Sequence, residues 1–293
     1  MARDPTTMSP SIPRLPYAGK DWAVSIRQTL TVAKWQFRCY VSSLRFAFAM
    51  GLIGGVGGLV SIVTYGYRTD IASQPAGFYG TLWGNGAVYV VVLVAVIFGA
   101  DAVSSDFQER TGLFLLGNPV SRTSVYAGKS IAVFLAAAVP TLLYATIVTG
   151  NGVAYFGVES GLSEVLGQSI VLGFLALLAL TSTLLLLSSL FSSATYSTAV
   201  GAVLFLAALP TLDNYVLPLT GVEPWFSLPY ALGILANVFS TPYPPHRTPM
   251  HFWNGQTVAA FSPTLEEGLA IMAGYFLLAS LGGLLLYRRK ELL

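Results

Sequence analysis

The chain has 293 residues, of which 54% are apolar and only 10% charged, with a mean hydropathy of +0.67. A water-soluble domain carries roughly 25% charged residues to cover its surface, so this composition excludes a DNA-binding protein, a cytosolic enzyme and a disordered chain. The formal charge of +2 is too small to imply a nucleic-acid partner, and a lone Cys39 excludes an intrachain disulfide or a Cys-based metal site.

Residues 1–20 are rich in Pro, Ser and Thr and read as a disordered cytoplasmic tail. Over 21–43 the pattern becomes helical. Trp22, Ile26, Leu30, Ala33, Phe37, Val41 and Leu44 fall on one arc of about 100°, with Arg27, Lys34, Arg38 and Arg45 along its flank. An apolar face with a basic edge suits an interfacial helix whose cations meet membrane lipid. The plainer alternative is an amphipathic helix packed on other protein. No strong apolar run begins before about residue 40, so no cleavable signal peptide is expected.

A transmembrane domain follows over 44–293. A helix needs about 20 apolar residues to cross the hydrocarbon core. Six stretches qualify: Leu44–Gly66, Thr81–Ala100, Val125–Gly150, Val165–Phe191, Tyr196–Leu212 and Gly268–Tyr287. The expected fold is therefore an all-α integral membrane protein of six spans. A seventh apolar run, Phe226–Phe239, is too short and contains Pro229, and reads as a short helix at the membrane surface. In the first span Gly51, Gly54, Gly55 and Gly58 form small-x-x-x-small faces, which let helices approach closely in lipid, including across a dimer.

Thirteen of the fifteen Lys and Arg residues lie before or at the start of the first span (Arg45), between spans two and three or just inside the third (Lys129), or in the C-terminal tail; the alternate loops hold only Arg68 and Arg247. By the positive-inside rule both termini and the 101–124 segment face the cytoplasm. That segment is dense in signals. Ser105 with Gln108 has capping-box spacing, Gly117-Asn118-Pro119 breaks a helix, and a new helix is due at about Ser121. The pattern describes a short surface helix fit to dock a soluble partner, or else a plain solvated turn.

The run from Ser105 to Lys129 resembles the cytoplasmic signature of type 2 ABC transporter permeases. The matching positions are Asp106, Phe107, Glu109, Arg110, Pro119, Val120, Ser121, Arg122 and Lys129; Thr111-Gly112 departs by inverting the family's usual Gly-Thr. The six-span layout with an interfacial lead-in helix is similar as well. The resemblance implies a subunit of the cell (plasma) membrane that pairs with a second permease subunit, as homodimer or heterodimer. A separate ABC ATPase subunit would hold the ATP and Mg and grip the coupling helix through Asp106, Phe107, Glu109, Arg110, Phe114 and Arg122. It also implies transport, by family habit export.

Other signals are discounted. Gly128-Lys129-Ser130 lacks the first glycine of a phosphate loop, Thr123 standing in its place, and enters a span instead of following a strand. His246 and His251 are misspaced for a helical metal pair and lie among prolines, so no metal and no cofactor is assigned to this chain. Absence of an acidic residue mid-span places the energy source outside the chain, and no catalytic set appears, so the chain is not read as an enzyme. Asn85, Tyr144, Gln168 and Thr181, with Ser182 and Thr183, either line a translocation path or hydrogen-bond between helices. The outer loop, 213–265, holds eight of sixteen prolines and several aromatics, the pattern of an ordered lid. The rival reading of the whole is a non-transporting membrane anchor or assembly subunit.

Overall fold

The computed structural model describes residues 22–66, 74–108, 120–158, 164–251 and 257–289. Six of its helices are long and apolar enough to cross a membrane: α2 (Leu44–Gly66), α3 (Pro75–Gln108), α4 (Arg122–Phe156), α5 (Glu164–Leu190), α6 (Ala194–Thr220) and α8 (Leu265–Arg289). Ahead of them lies α1 (Trp22–Val41), and between α6 and α8 lies the short α7 (Leu228–Asn237). The chain is thus a helical membrane protein, the architecture that satisfies every backbone polar group inside lipid. One element departs from the all-helical expectation. Strands β1 (Arg247–His251) and β2 (Thr257–Phe261) pair antiparallel, from Arg247 opposite Phe261 to His251 opposite Thr257. Pro249 within β1 costs little here, because a two-stranded ribbon has an open edge on either side. The expected tail 1–20 lies outside the described residues.

Helix α3 is the centre of the bundle. Its stretch GAVYVVVLVAVIFG is apolar on every side, as a helix enclosed by other helices must be, and 72% of its most apolar stretch is buried. Helices α4 and α5 flank it. The corresponding fractions for α2, α6 and α8 are only 17%, 11% and 17%, so these three form the rim.

Helix α1 packs along the start of α4. Gly128 makes the approach possible: a Cβ there would stand 2.8 Å from Val32 Cβ and 2.9 Å from the Thr29 carbonyl oxygen. The packed side holds Val32, Ala33, Gln36 and Tyr40, overlapping the apolar arc at Ala33 and extending to one side of it. Ile26, Leu30 and Val41 stay exposed beside Arg27, Lys34 and Arg38. One side of the helix meets protein, while much of the apolar arc with its basic edge stays exposed.

Helix α6 runs past Pro210 to Thr220, further than the expected end at Leu212. A proline removes one N–H and clashes with the carbonyl four residues back. Two wide π turns, Leu204–Ala208 and Leu212–Val216, precede Pro210 and Pro218 and absorb those clashes. A third, Gly80–Asn85, lies near the start of α3.

Helix α7 is enclosed by protein: Leu228, Leu232, Ile234 and Leu235 are fully buried against α3, α5 and α8. Pro229 sits in its first turn, where the missing N–H is harmless, so it starts the helix instead of breaking it. Glycine 84 receives the α7 backbone directly: a Cβ would lie 2.6 Å from Ala236 Cα. Trp83 Nε1 donates to Ser169 Oγ at 3.0 Å, and that hydroxyl donates on to the Leu235 carbonyl at 2.8 Å.

Candidate functional site

The basic residues gather at one end of the bundle, and the backbone of α3 breaks there. Residues 100–103 turn between the long helix and a last short turn, Ser104–Gln108. Such a break strands carbonyls and N–H groups away from water, at a cost of about 1–3 kcal/mol for each one left unpaired. Side chains from three other helices meet the demand. Ser188 Oγ on α5 accepts from the N–H groups of Val103 and Ser104, at 3.0 and 2.9 Å. Ser197 on α6 donates to the Ala100 carbonyl. Lys129 Nζ on α4 donates to the Ala102 carbonyl at 2.8 Å.

Lys129 is the unusual member. Its side chain is 1% exposed, and its ammonium lies 2.5 Å from Asp106 Oδ2, whose side chain is 13% exposed. A second pair, Arg45 to Asp101, joins the start of α2 to the same turn. Tyr40 of α1 is packed beside it; burial, and then the Asp101 carboxylate, push its phenol pKa up. Nearby, Arg122 Nη1 donates to the Arg288 carbonyl at 2.9 Å, tying the start of α4 to the end of α8. The Ser25 and Ser124 hydroxyls stand 3.2 Å apart. Every helix except α7 thus contributes to one polar joint.

The joint redistributes the residues expected to face a soluble partner. Asp106 points inward to Lys129, and Phe107 makes an edge contact with Tyr287, ring centroids 6.4 Å apart. Arg122 is engaged with α8. Glu109, Arg110 and Phe114 lie outside the described residues. Ser121 caps α4 as expected, accepting from the Ser124 N–H at 3.0 Å. Gln108 does something else: its Oε1 accepts from the Ala194 N–H at 2.7 Å and so caps α6, not its own helix. Sequence spacing pointed to the local partner; the actual one is supplied by the fold.

The polar residues offered as a translocation path each have a partner within the chain. Tyr144 donates to the Leu82 carbonyl at 2.6 Å and stacks on Trp83, Thr181 bonds back to Leu177, Asn85 donates to the Gly80 carbonyl, and Gln168 pairs with Glu164. On α2, a Cβ at Gly51, Gly55 or Gly58 would meet nothing within 4 Å, and at Gly54 only Leu143 at 4.0 Å. Among the described residues the glycine stripe therefore packs against nothing closely; Gly57, against Ile147, makes the close approach instead. At the opposite end of the bundle, α3, α6, α7 and β2 enclose a cavity of about 270 Å³, walled by Val92, Phe205, Pro210, Tyr230 and Phe261 with Asp213 and Asn214 as polar points.

A helical multi-pass membrane protein with a polar joint at its basic end is the class these features define. Residues 59–293 match the model of a family described as a protein of unknown function, DUF2705, and the chain belongs to that family. A search among curated proteins returns no match.

Proposed function

We propose that the chain is the membrane-spanning subunit of a type 2 ABC transporter, exporting a substrate with ATP hydrolysed by a separate ATPase subunit. The observation that supports this best is the joint at the foot of α3. A segment gripped by a soluble partner must move spans without melting, and 101–108 is tied by side chains to α2, α4, α5 and α6. In this reading the basic end faces the cytoplasm, Glu109, Arg110 and Phe114 meet the ATPase, and Asp106 and Phe107 carry its movement inward. The open glycine stripe on α2 faces the second permease subunit. Co-purification from native membranes tests the reading: a subunit with a phosphate-binding loop is expected in the complex, and its absence refutes the proposal. Given that partner, Glu109→Ala with Arg110→Ala weakens its association while membrane insertion persists. Unchanged assembly in that double variant removes those residues from the interface.

A further inference from the structure

The end of the bundle opposite the joint carries a cluster that the sequence pattern concealed. Glu223 follows α6, His246 leads into β1 and Glu267 sits in the first turn of α8. Each offers one ligand atom, and these atoms all lie within 4.8 Å of one another. We propose that Glu223, His246 and Glu267 bind a divalent first-row transition cation, Zn²⁺ being the best fit.

The imidazole is oriented for that task. Its Nδ1 lies 3.1 Å from the Ser262 carbonyl oxygen, which can only accept, so Nδ1 carries the proton. In the neutral tautomer the lone pair falls on Nε2, 3.2 Å from Glu223 Oε2, while Glu267 Oε2 lies 3.6 Å from Nδ1. A backbone carbonyl fixing one ring nitrogen while the other ligates is the usual arrangement for a metal-bound histidine. The carboxylates are held as well. Tyr230 donates to Glu223 Oε1 at 3.2 Å, and the Thr264 N–H donates to Glu267 Oε2 at 2.9 Å.

The donor set chooses the ion. One imidazole and two carboxylates, without a thiolate, suit Zn²⁺ and its neighbours, with a fourth position left for water. Two carboxylates around one ring also bring two negative charges together, which a divalent cation cancels. The partners of His246 are acidic residues remote in sequence. Bound metal would clip the end of α6, the hairpin and the start of α8 to one another. This inference stands apart from the transport reading.

The test is calorimetric titration of the full chain, purified in detergent without a polyhistidine tag and stripped of metal, with ZnCl₂ at neutral pH. One saturable site per chain is expected, abolished by His246→Ala, unaffected by His251→Ala and weakened about 10-fold by Tyr230→Phe, which removes only the outer hydrogen bond on Glu223. Co²⁺ guards against a misfolded variant. It gives visible ligand-field absorption at the site, and His246→Cys adds a thiolate charge-transfer band. Absence of saturable binding, or binding that survives His246→Ala, overturns the proposal; the three groups are then an imidazolium held between two carboxylates.

Discussion

Removing the ammonium of Lys129 is the most direct probe of the joint. Lys129→Met keeps the length of the side chain and its packing but leaves Asp106 buried with no partner and the Ala102 carbonyl without its donor. Breaking a buried ion pair from one side costs about 3–5 kcal/mol, most of it the desolvation of the orphaned charge. At roughly 2–4 °C per kcal/mol, the figure for chains of 150–250 residues, the midpoint of thermal unfolding should fall by roughly 6–20 °C. The charge argument makes a second, sharper demand. In Lys129→Met with Asp106→Leu neither charge of the pair remains, so the double variant should recover much of the loss, leaving mainly the unpaired carbonyl at about 1–3 kcal/mol. The assay is a melting curve of Lys129→Met, Asp106→Leu, the double variant and the parent in one detergent, read as a double-mutant cycle. A harmless single variant, or a double variant as unstable as the single, would refute the assignment of Lys129 and Asp106 as a buried pair.

Two further outcomes follow from the geometry. Gln108→Ala removes the acceptor at the N-terminus of α6 and should cost about 0.5–2 kcal/mol; hydrogen exchange at Ala194 and the next residues should quicken while α5 stays protected, and no change there removes Gln108 from the cap. Gly55→Leu, on the open stripe of α2, should leave the melting curve of the single chain within about 0.5 kcal/mol yet abolish cross-linking between copies or to a paired subunit. Cross-linking at the parent's yield would mean that this stripe faces only lipid.

The spans were legible because bilayer thickness imposes a length and a polarity that no soluble context demands. What hydropathy could not convey was depth. The run around Leu232 has the same composition whether it lies on a surface or is enclosed, and only contact with Trp83, Ser169 and Gly84 makes it internal. The end of α6 was misplaced at Leu212 because a proline is read as a stop, whereas wide turns before Pro210 and Pro218 let the helix continue. Lys129 was visible as part of a motif, but its partner Asp106 sits on another helix and no periodicity links them. The same holds for His246, whose neighbours Glu223 and Glu267 come from the flanks of different spans. The hairpin escaped notice because β1 has a proline at its centre and no alternation of apolar and polar residues.

The wide turns of α6 give the bundle an uneven stiffness. Each replaces the tight ladder of a regular helix with longer loops of bonding, and both fall on the helix least enclosed by its neighbours. Its first residues, by contrast, are clamped through Gln108 and Ser197 to the foot of α3, the most enclosed helix. A push applied at the basic end is therefore delivered undiminished to the root of α6 and taken up as bending further along. The compliant stretch borders the cavity through Phe205, Leu206 and Pro210. The chamber is thus walled on one side by the least regular stretch of α6.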